Sequence, residues 1–369
     1  MTLDVGVLGY RFMGKAHANA MARLPMFFPD APEINREVLV GRDEEALSEA
    51  TDRLGFSRTT TDPTEAIESV DVFYNLGPNF VHPEYSIEAL EAGVPVFCEK
   101  PLAPTMEEAE GMAEAASEAG VPNGCAFNYR FVPAIQYARN LIEAGELGEI
   151  YHVRGRYLQD WLVDPEAPWA WRLDEELAGS GALGDLGAHT IDLARFLVGD
   201  VEGEISEISG RLRTFTDERP TEDGETREVT VDDAYLATAE FEGGAVGSFE
   251  ASRNANGRKN DHTIEIEGSK GSLKFSLERL NELEYKREGA RGFETVLVTD
   301  SDDPYIDHWW PPGHVIGWEH TFVHENYEFL SAVDSGGEFA PSFEDGLATQ
   351  RVLAAIEESD ESGERVSLD

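Results

Sequence analysis

The feature that most constrains the fold lies in the first twenty residues. Val5-Gly6-Val7-Leu8-Gly9 is a short apolar run ending in glycine, and it opens into the helical composition of Lys15-Ala16-His17-Ala18-Asn19-Ala20-Met21-Ala22. A strand that turns on glycine into a helix aims free N–H groups and a positive dipole end at one point, which makes an anion site. The dinucleotide fingerprint is G-x-G-x-x-G. Here it reads Gly9-Tyr10-Arg11-Phe12-Met13-Gly14, with Arg11 in place of the middle glycine. The alternative is a tight structural turn. Its position behind the first strand of an alternating series favours a phosphate-binding turn.

That series continues with strand patterns at Glu37–Gly41, Val70–Leu76, Val94–Cys98 and Ala126–Asn128. Helical stretches lie between them at Asp43–Leu54, Pro83–Ala92 and Thr105–Ala119. Strands alternating with helices predict βαβ units and a parallel sheet with right-handed crossovers. From Tyr151 the apolar period changes to two. It returns at Ala234–Phe241, Ala245–Ala251, Thr263–Glu267 and Ser272–Phe275, between glycine-bearing turns. This predicts an antiparallel sheet with one buried face. Helices are expected at Asp185–Val198, Glu319–Ser335 and Phe343–Ser359. The expected fold is an α/β Rossmann domain (1–124) followed by an α+β domain with a large open, mainly antiparallel sheet (125–369). The acidic, Gly- and Pro-bearing stretch Asp217–Glu228 is expected to be a mobile surface loop.

Charge narrows the function classes. The 369 residues hold 73 Asp and Glu against 29 Lys and Arg, a net charge of −44. That field repels nucleic acid and anionic membranes, so neither is expected as a partner. Only six residues are Lys, and the acids run through a chain that is 41% apolar. A folded protein of a high-salt cytoplasm follows, because concentrated salt screens self-repulsion. No basic segment precedes the first strand, and no stretch approaches the roughly 20 apolar residues of a membrane span. Cys98 and Cys125 sit in apolar runs and read as buried thiols.

The end of the second strand, Val40-Gly41-Arg42-Asp43, lacks the acid that usually holds the adenosine ribose. Gly41 leaves room for a 2′-phosphate that Arg42 and Arg11 would bind. This favours NADP(H). NAD is the alternative, with Arg42 paired to surface acids and Asp43 on the ribose. Lys100, in Glu99-Lys100-Pro101, stands at a strand's carboxyl end, where open α/β sheets bind ligands. It suits proton handling or hydroxyl orientation, with a structural strand-end lysine as the alternative. Asp185, His189 and Asp192, spaced i, i+4, i+7, share one helical face, while Leu186, Leu193 and Leu197 face the core. An Asp one turn from a His orients a general base. The plainer alternatives are an N-cap at Asp185, an exposed His189, and Asp192 paired to Arg195. His320 and His324 at i, i+4 read as helix-face histidines, and no metal site is assigned. Asp307 to His314 is an aromatic, Pro-rich segment, read as a subunit contact rather than a pocket wall.

Four motifs, in order and at matching spacing, make the chain resemble the glucose–fructose oxidoreductase / inositol dehydrogenase / MocA (Gfo/Idh/MocA) family over its whole length. They are Gly9 to His17, Glu99-Lys100-Pro101, Phe127-Asn128-Tyr129-Arg130-Phe131, and Gly184-Asp185-Leu186-Gly187-Ala188-His189. Tyr157 to Trp161, Ala178 to Asp185 and Phe249 to Arg253 point to its levoglucosan dehydrogenase-like subgroup. The resemblance implies an NAD(P)-dependent dehydrogenase of a sugar, anhydrosugar or cyclitol. It implies catalytic roles for Lys100, Asp185 and His189. Gly9, Arg11, Phe12, Met13, Gly14, Gly41, Arg42, Asp43, Pro78, Asn79, His82, Glu99 and Lys100 are expected around the cofactor. Tyr129, Arg130, Gln159, Trp161, Arg172, Asp185 and His189 are expected around the sugar, and Pro101 is often cis in relatives. Two other readings stay open: a glycosidase or lyase using transient oxidation by bound NAD, and a non-catalytic nicotinamide sensor. A homodimer or homotetramer is expected through the open face of the sheet.

Overall fold

A computed structural model describes residues 2–368. The chain divides into two compact units: Met1–Phe131 with Gly317–Leu347, and Val132–Ile316 with Ala348–Asp369.

The first unit is built on parallel strands β1 (Leu3–Leu8), β2 (Ile34–Val40), β3 (Arg58–Thr60), β4 (Val72–Asn75), β5 (Val96–Cys98) and β6 (Asn123–Cys125). They lie in the order β3-β2-β1-β4-β5-β6, so the direction of winding reverses between β1 and β4. That reversal opens a crevice at the carboxyl ends of the strands. Helices α1 (Phe12–Phe27), α2 (Glu44–Leu54), α3 (Pro63–Ile67), α4 (His82–Glu91) and α5 (Met106–Ala119) follow β1 to β5 in turn. β4 and β5 are buried throughout, which is why they read as unbroken apolar runs. The sequence signals helix ends well. Asp43 caps α2 and Gly55 closes it at φ +73°, while Thr105 and Glu108 form a capping box on α5.

The later helices are α6 (Pro133–Glu143), α7 (Glu175–Ala178), α8 (Ala188–Glu202), α9 (Glu319–Ser335) and α10 (Phe343–Ser362). α9 belongs to the first unit and packs on α1. Phe322 meets the His17 ring edge-on at 5.2 Å, and Phe28 lies 4.6 Å from Tyr327. The division therefore falls after Phe131 rather than at 124, and the first unit regains a late segment. Asn128 donates to Thr321 Oγ1 at 2.8 Å, and His324 Nδ1 lies 2.9 Å from the Phe131 carbonyl. The sixth strand is Asn123–Cys125 rather than residues 126–128, since Asn128–Phe131 coil into a 3-10 turn.

The second unit carries β7 (Ile150–Leu158), β8 (Ile205–Arg213), β9 (Glu218–Pro220), β10 (Thr226–Glu228), β11 (Ala234–Phe241) and β12 (Val246–Ser252). After these come β13 (Asp261–Gly268), β14 (Ser272–Ser276), β15 (Glu282–Lys286), β16 (Glu294–Leu297) and β17 (Val366–Ser367). The large sheet runs β16-β15-β14-β13-β7-β12-β11-β8-β17 and is antiparallel except between β7 and β12. α8 lies on its inner face. Gly155 of β7 makes that approach possible, because a Cβ there would stand 2.3 Å from Thr190 Cγ2. The outer face carries Tyr151, Leu236 and Val246 among ion pairs such as Arg154–Glu267 at 2.8 Å.

Asp217–Glu228 is not a loose loop. β9 and β10 pair as a hairpin, and Arg219, wholly buried, donates to the carbonyls of Leu162 and Asp164 at 2.8 Å each. In the 307–314 segment Trp309 is buried and Trp310 is exposed. His324 is buried, and the main-chain N–H of Gly317 donates to His320 Nδ1 at 3.1 Å. Among the described residues no helix is long and apolar enough to cross a membrane.

Candidate active site

In the first unit the glycine turn joins β1 to α1. Gly9 sits at φ +106°, and a Cβ on it would stand 2.6 Å from the Leu76 carbonyl oxygen. A Cβ on Gly14 would stand 2.1 Å from the Gly9 oxygen. Both glycines are therefore required. Arg11 has φ −84°, outside the left-handed region that calls for glycine. Among the described residues the start of α1 has no side-chain cap and no acid in its first turn. α2, α3 and α5 all start with a side-chain cap and an acid. In a chain this acidic, an acid-free, uncapped helix start suits an anion. Arg11 and Phe12 are exposed and Met13 is half-buried. The Phe12 ring, 66% exposed, stacks on Trp318 at 5.6 Å and 17°.

At the end of β2, Gly41 is buried, and a Cβ on it would stand 2.3 Å from Tyr10 Cε1. The Tyr10 ring fills the space an acid at this place would take. Arg42 is exposed, and Asp43 accepts from Ala46 N at 3.1 Å as the cap of α2.

The loops after β4 and β5 are tied together. The Asn75 amide lies 3.0 Å from Val81 O and 3.2 Å from His82 O, and the Asn75 carbonyl accepts from Glu99 N at 3.0 Å. His82 is fully buried, with Nδ1 3.0 Å from Pro101 O and Nε2 3.1 Å from Gly77 O. Burial holds its imidazole below the ordinary value. His82 thus braces two loops from beneath, while Pro78 and Asn79 are half-buried at the turn above. Glu99 is buried too. Its Oε1 lies 3.4 Å from His17 Nε2, and its Oε2 accepts from the main-chain N–H of Lys100 at 3.2 Å. Asn326 donates to His17 Nδ1 at 2.9 Å, so Nε2 is the nitrogen that faces Glu99 with a proton. This chain of buried groups fixes the main chain of Lys100, whose peptide to Pro101 is cis. Tyr129 is buried and its hydroxyl accepts from Trp318 Nε1 at 3.3 Å. Arg130 is expected at the sugar. It is buried, with Nη2 3.2 Å from Asp345 Oδ1. Burial works to raise Asp345, but Arg130 and Ser342 outweigh it and hold the carboxyl below its usual range.

In the second unit the Asp185 segment is not regular α-helix. Leu183–Gly187 winds as a π turn into α8, so Asp185 is rotated away from the simple i, i+4 relation to His189. Asp232, buried, anchors the turn by accepting from Gly181 N at 2.6 Å and Leu183 N at 2.9 Å. Gly181 is obligatory, because a Cβ on it would stand 1.8 Å from the Asp232 oxygen. Asp185 is half-buried and its Oδ2 accepts from Arg253 Nη2 at 3.0 Å. His189 is buried beside Tyr157 and His262, ring centroids 6.1 and 6.4 Å away. His262 stacks on Tyr157 at 4.5 Å, and burial pushes its imidazole down to about 3, so it stays neutral. Tyr157 OH and Gln159 Nε2 both donate to Asn260 Oδ1, at 2.7 and 2.8 Å. Trp161 is exposed, and the Arg172 guanidinium lies 4.4 Å from the Trp171 ring centroid. The structure thus gathers Asp185, Trp161 and Arg172 around one side chain, Arg253. Motif reading gives Tyr10, Asn75, Asn260 and Arg253 no role. Arg253 alone carried a signal: an arginine in the inward phase of a strand, after Gly247, Phe249 and Ala251.

Residues 3–127 match the oxidoreductase family, NAD-binding Rossmann fold, and residues 135–274 match the GFO/IDH/MocA C-terminal domain. Levoglucosan dehydrogenase of Pseudarthrobacter phenanthrenivorans is 41% identical over 97% of this chain and 96% of its own. Glucose-6-phosphate 3-dehydrogenase of Bacillus subtilis is 26% identical over 99% of this chain and 98% of its own. A solved levoglucosan dehydrogenase in complex with NADH covers all of both chains at TM-score 0.96 and 41% identity. An oxidoreductase domain protein from Kribbella flavida does so at TM-score 0.96 and 48% identity. Two matched domains, a full-length relative and the glycine turn at the winding reversal converge: the chain belongs to the Gfo/Idh/MocA family of NAD-binding oxidoreductases.

Proposed function

We propose that this protein is a nicotinamide-dependent dehydrogenase that oxidises a hydroxyl carbon of a sugar, anhydrosugar or cyclitol. The full-length similarity to levoglucosan dehydrogenase carries the reading, and the motifs that hold Lys100, Asp185 and His189 support it. The glycine turn supports a bound dinucleotide: a Cβ at residue 9 or 14 would collide with the Leu76 or Gly9 oxygen and push the turn open, and the start of α1 leaves its N–H groups to a diphosphate. When bound, the nicotinamide supplies the hydride acceptor. The protein's own residues handle the proton and the sugar. His189 takes the proton from the reacting hydroxyl oxygen. Lys100, at the carboxyl end of β5, suits hydrogen-bonding to a hydroxyl on which negative charge develops. Asp185 supports the imidazolium from its seat on Arg253. Gln159, Trp161, Arg172 and Tyr129 hold the remaining hydroxyls and the apolar face of the ring. Its burial and its pairing with Asp345 support a structural role for Arg130.

NAD is the cofactor we favour, because Tyr10 occupies the space beside Gly41 and a similar structure holds NADH. NADP is the second reading, favoured by exposed Arg42 and the missing acid at residue 41. The net charge of −44 supports a working environment of concentrated salt, in the cytoplasm. Tyr151, Leu236 and Val246 on the outer sheet face support a homo-oligomer through that face. The test is a panel of anhydrosugars, aldoses and inositols with NAD and with NADP in molar KCl, following reduced cofactor. Silence across the panel with both cofactors refutes the assignment, and a higher kcat/KM with NADP reverses the cofactor preference.

A further inference from the structure

We propose that Arg253 is the positioning residue of the sugar site, a buried fork that fixes the Asp185 carboxylate and the main chain at Arg172 in one arrangement. The proposal rests on the reading of Asp185 as part of the reacting site.

Arginine is almost never buried unless paired, and Arg253 is 1% exposed. Its strand explains how it comes to be inside. Gly247, Phe249 and Ala251 point into the core, and Arg253 continues that phase one step past β12. Its main chain is pinned on both sides, with N donating to Asp233 O at 2.9 Å and O accepting from Leu162 N at 3.1 Å. The guanidinium then reaches three separate segments. Nη2 donates to Asp185 Oδ2 at 3.0 Å, Nη1 donates to the Arg172 carbonyl at 3.3 Å, and Cζ lies 5.4 Å from the Trp161 ring centroid. A planar guanidinium holds two acceptors at a fixed separation, which an ammonium does not.

Arg219 provides the contrast within the same unit. It is equally buried, but among the described residues its hydrogen-bond partners are the carbonyls of Leu162 and Asp164. It pins main chain. Arg253 instead ends on a carboxylate whose side chain is still 26% accessible, and it also meets the Arg172 carbonyl and the Trp161 ring. In a chain with 73 acids, the buried cation is placed against the one carboxylate that the π turn lifts out of regular helix.

The test uses the intact protein in molar KCl. Arg253→Lys keeps the charge and loses the fork. We expect its kcat on the best sugar to fall about 10- to 100-fold, with NADH affinity unchanged by fluorescence titration. Arg219→Lys should lower Tm and leave kcat alone. Because Arg253 acts through Asp185, adding Arg253→Lys to Asp185→Asn should cost less than about threefold more. Full multiplication of the two losses overturns the proposal, as does an Arg253→Lys enzyme within about twofold of wild type while Asp185→Asn is impaired. If Arg253→Lys does not fold, the Tm of Asp185→Asn decides. Removing the anion from a buried cation must lower it, and an unchanged Tm overturns the pairing. A wild-type protein without dehydrogenase activity, or a fully active Asp185→Asn, refutes the underlying function as well, and so is distinct from failure of the Arg253 role alone.

Discussion

Glu357→Gln should stabilise the protein in mild alkali and leave it unchanged in acid. Glu357 lies on α10, half-buried. Burial, then the charges of Asp232, Glu175 and Glu361, push its carboxyl from 4.5 up to about 7. Each pKa unit corresponds to about 1.4 kcal/mol. The gap sets an upper bound of about 3 kcal/mol on the cost of ionising Glu357 in the folded state, and screening of its exposed edge reduces this to about 1–2 kcal/mol. The folded carboxyl binds its proton more tightly than the unfolded one. Below 4.5 both states are protonated and nothing is lost. Stability then declines as pH rises from 4.5 to about 7, and the full cost persists above that. Gln removes the charge and keeps an oxygen for Ser180. Thermal melts at constant molar KCl should show a Tm gain of about 3–6 °C at about pH 8. At about pH 4 the gain should vanish. An equal offset at both pH values, or a loss in alkali, would show that Glu357 is not held protonated by its surroundings.

Gly14→Ala forces a Cβ to within 2.1 Å of the Gly9 oxygen. NADH affinity should fall at least about tenfold by fluorescence titration as the turn is pushed open. Lys100→Ala should lower kcat by about two to three orders of magnitude with Tm unchanged, and near-wild-type turnover would remove it from the mechanism. Arg130→Gln should cost about 2 kcal/mol in denaturant unfolding by leaving Asp345 unpaired. If Arg130 is structural, the KM for sugar in the surviving folded enzyme stays near that of wild type.

The parallel sheet was legible because strands buried on both faces must be apolar runs, and because Asp43, Thr105, Gly55 and Gly120 mark helix ends by their own chemistry. β3 and α3 escaped notice, since Arg58-Thr59-Thr60 offers no apolar run. The hairpin at 218–228 was hidden by its acids, because one buried arginine outweighs the local composition. Lys100, Asp185 and His189, the residues proposed to react, stand out through motif and spacing. Their supports do not: the π turn rewinds the spacing around Asp185, and the Asn326 that faces His17 lies 309 residues away. For Arg130 the motif conveys residue identity without its burial or its partner Asp345.

The return of α9 to the first unit bears on how the protein is made. The His17–Glu99 pair behind Lys100 is closed by Asn326 and Phe322. These residues leave the ribosome only after the whole middle of the chain, long after the nucleotide-binding strands. During translation the emerging first unit has a helix-sized apolar gap on α1, and His17 has no amide partner. The unit that begins first in sequence therefore stays incomplete until the middle of the chain has been made, and slow translation of that middle prolongs the interval in which the gap is open to chaperones or to misassembly.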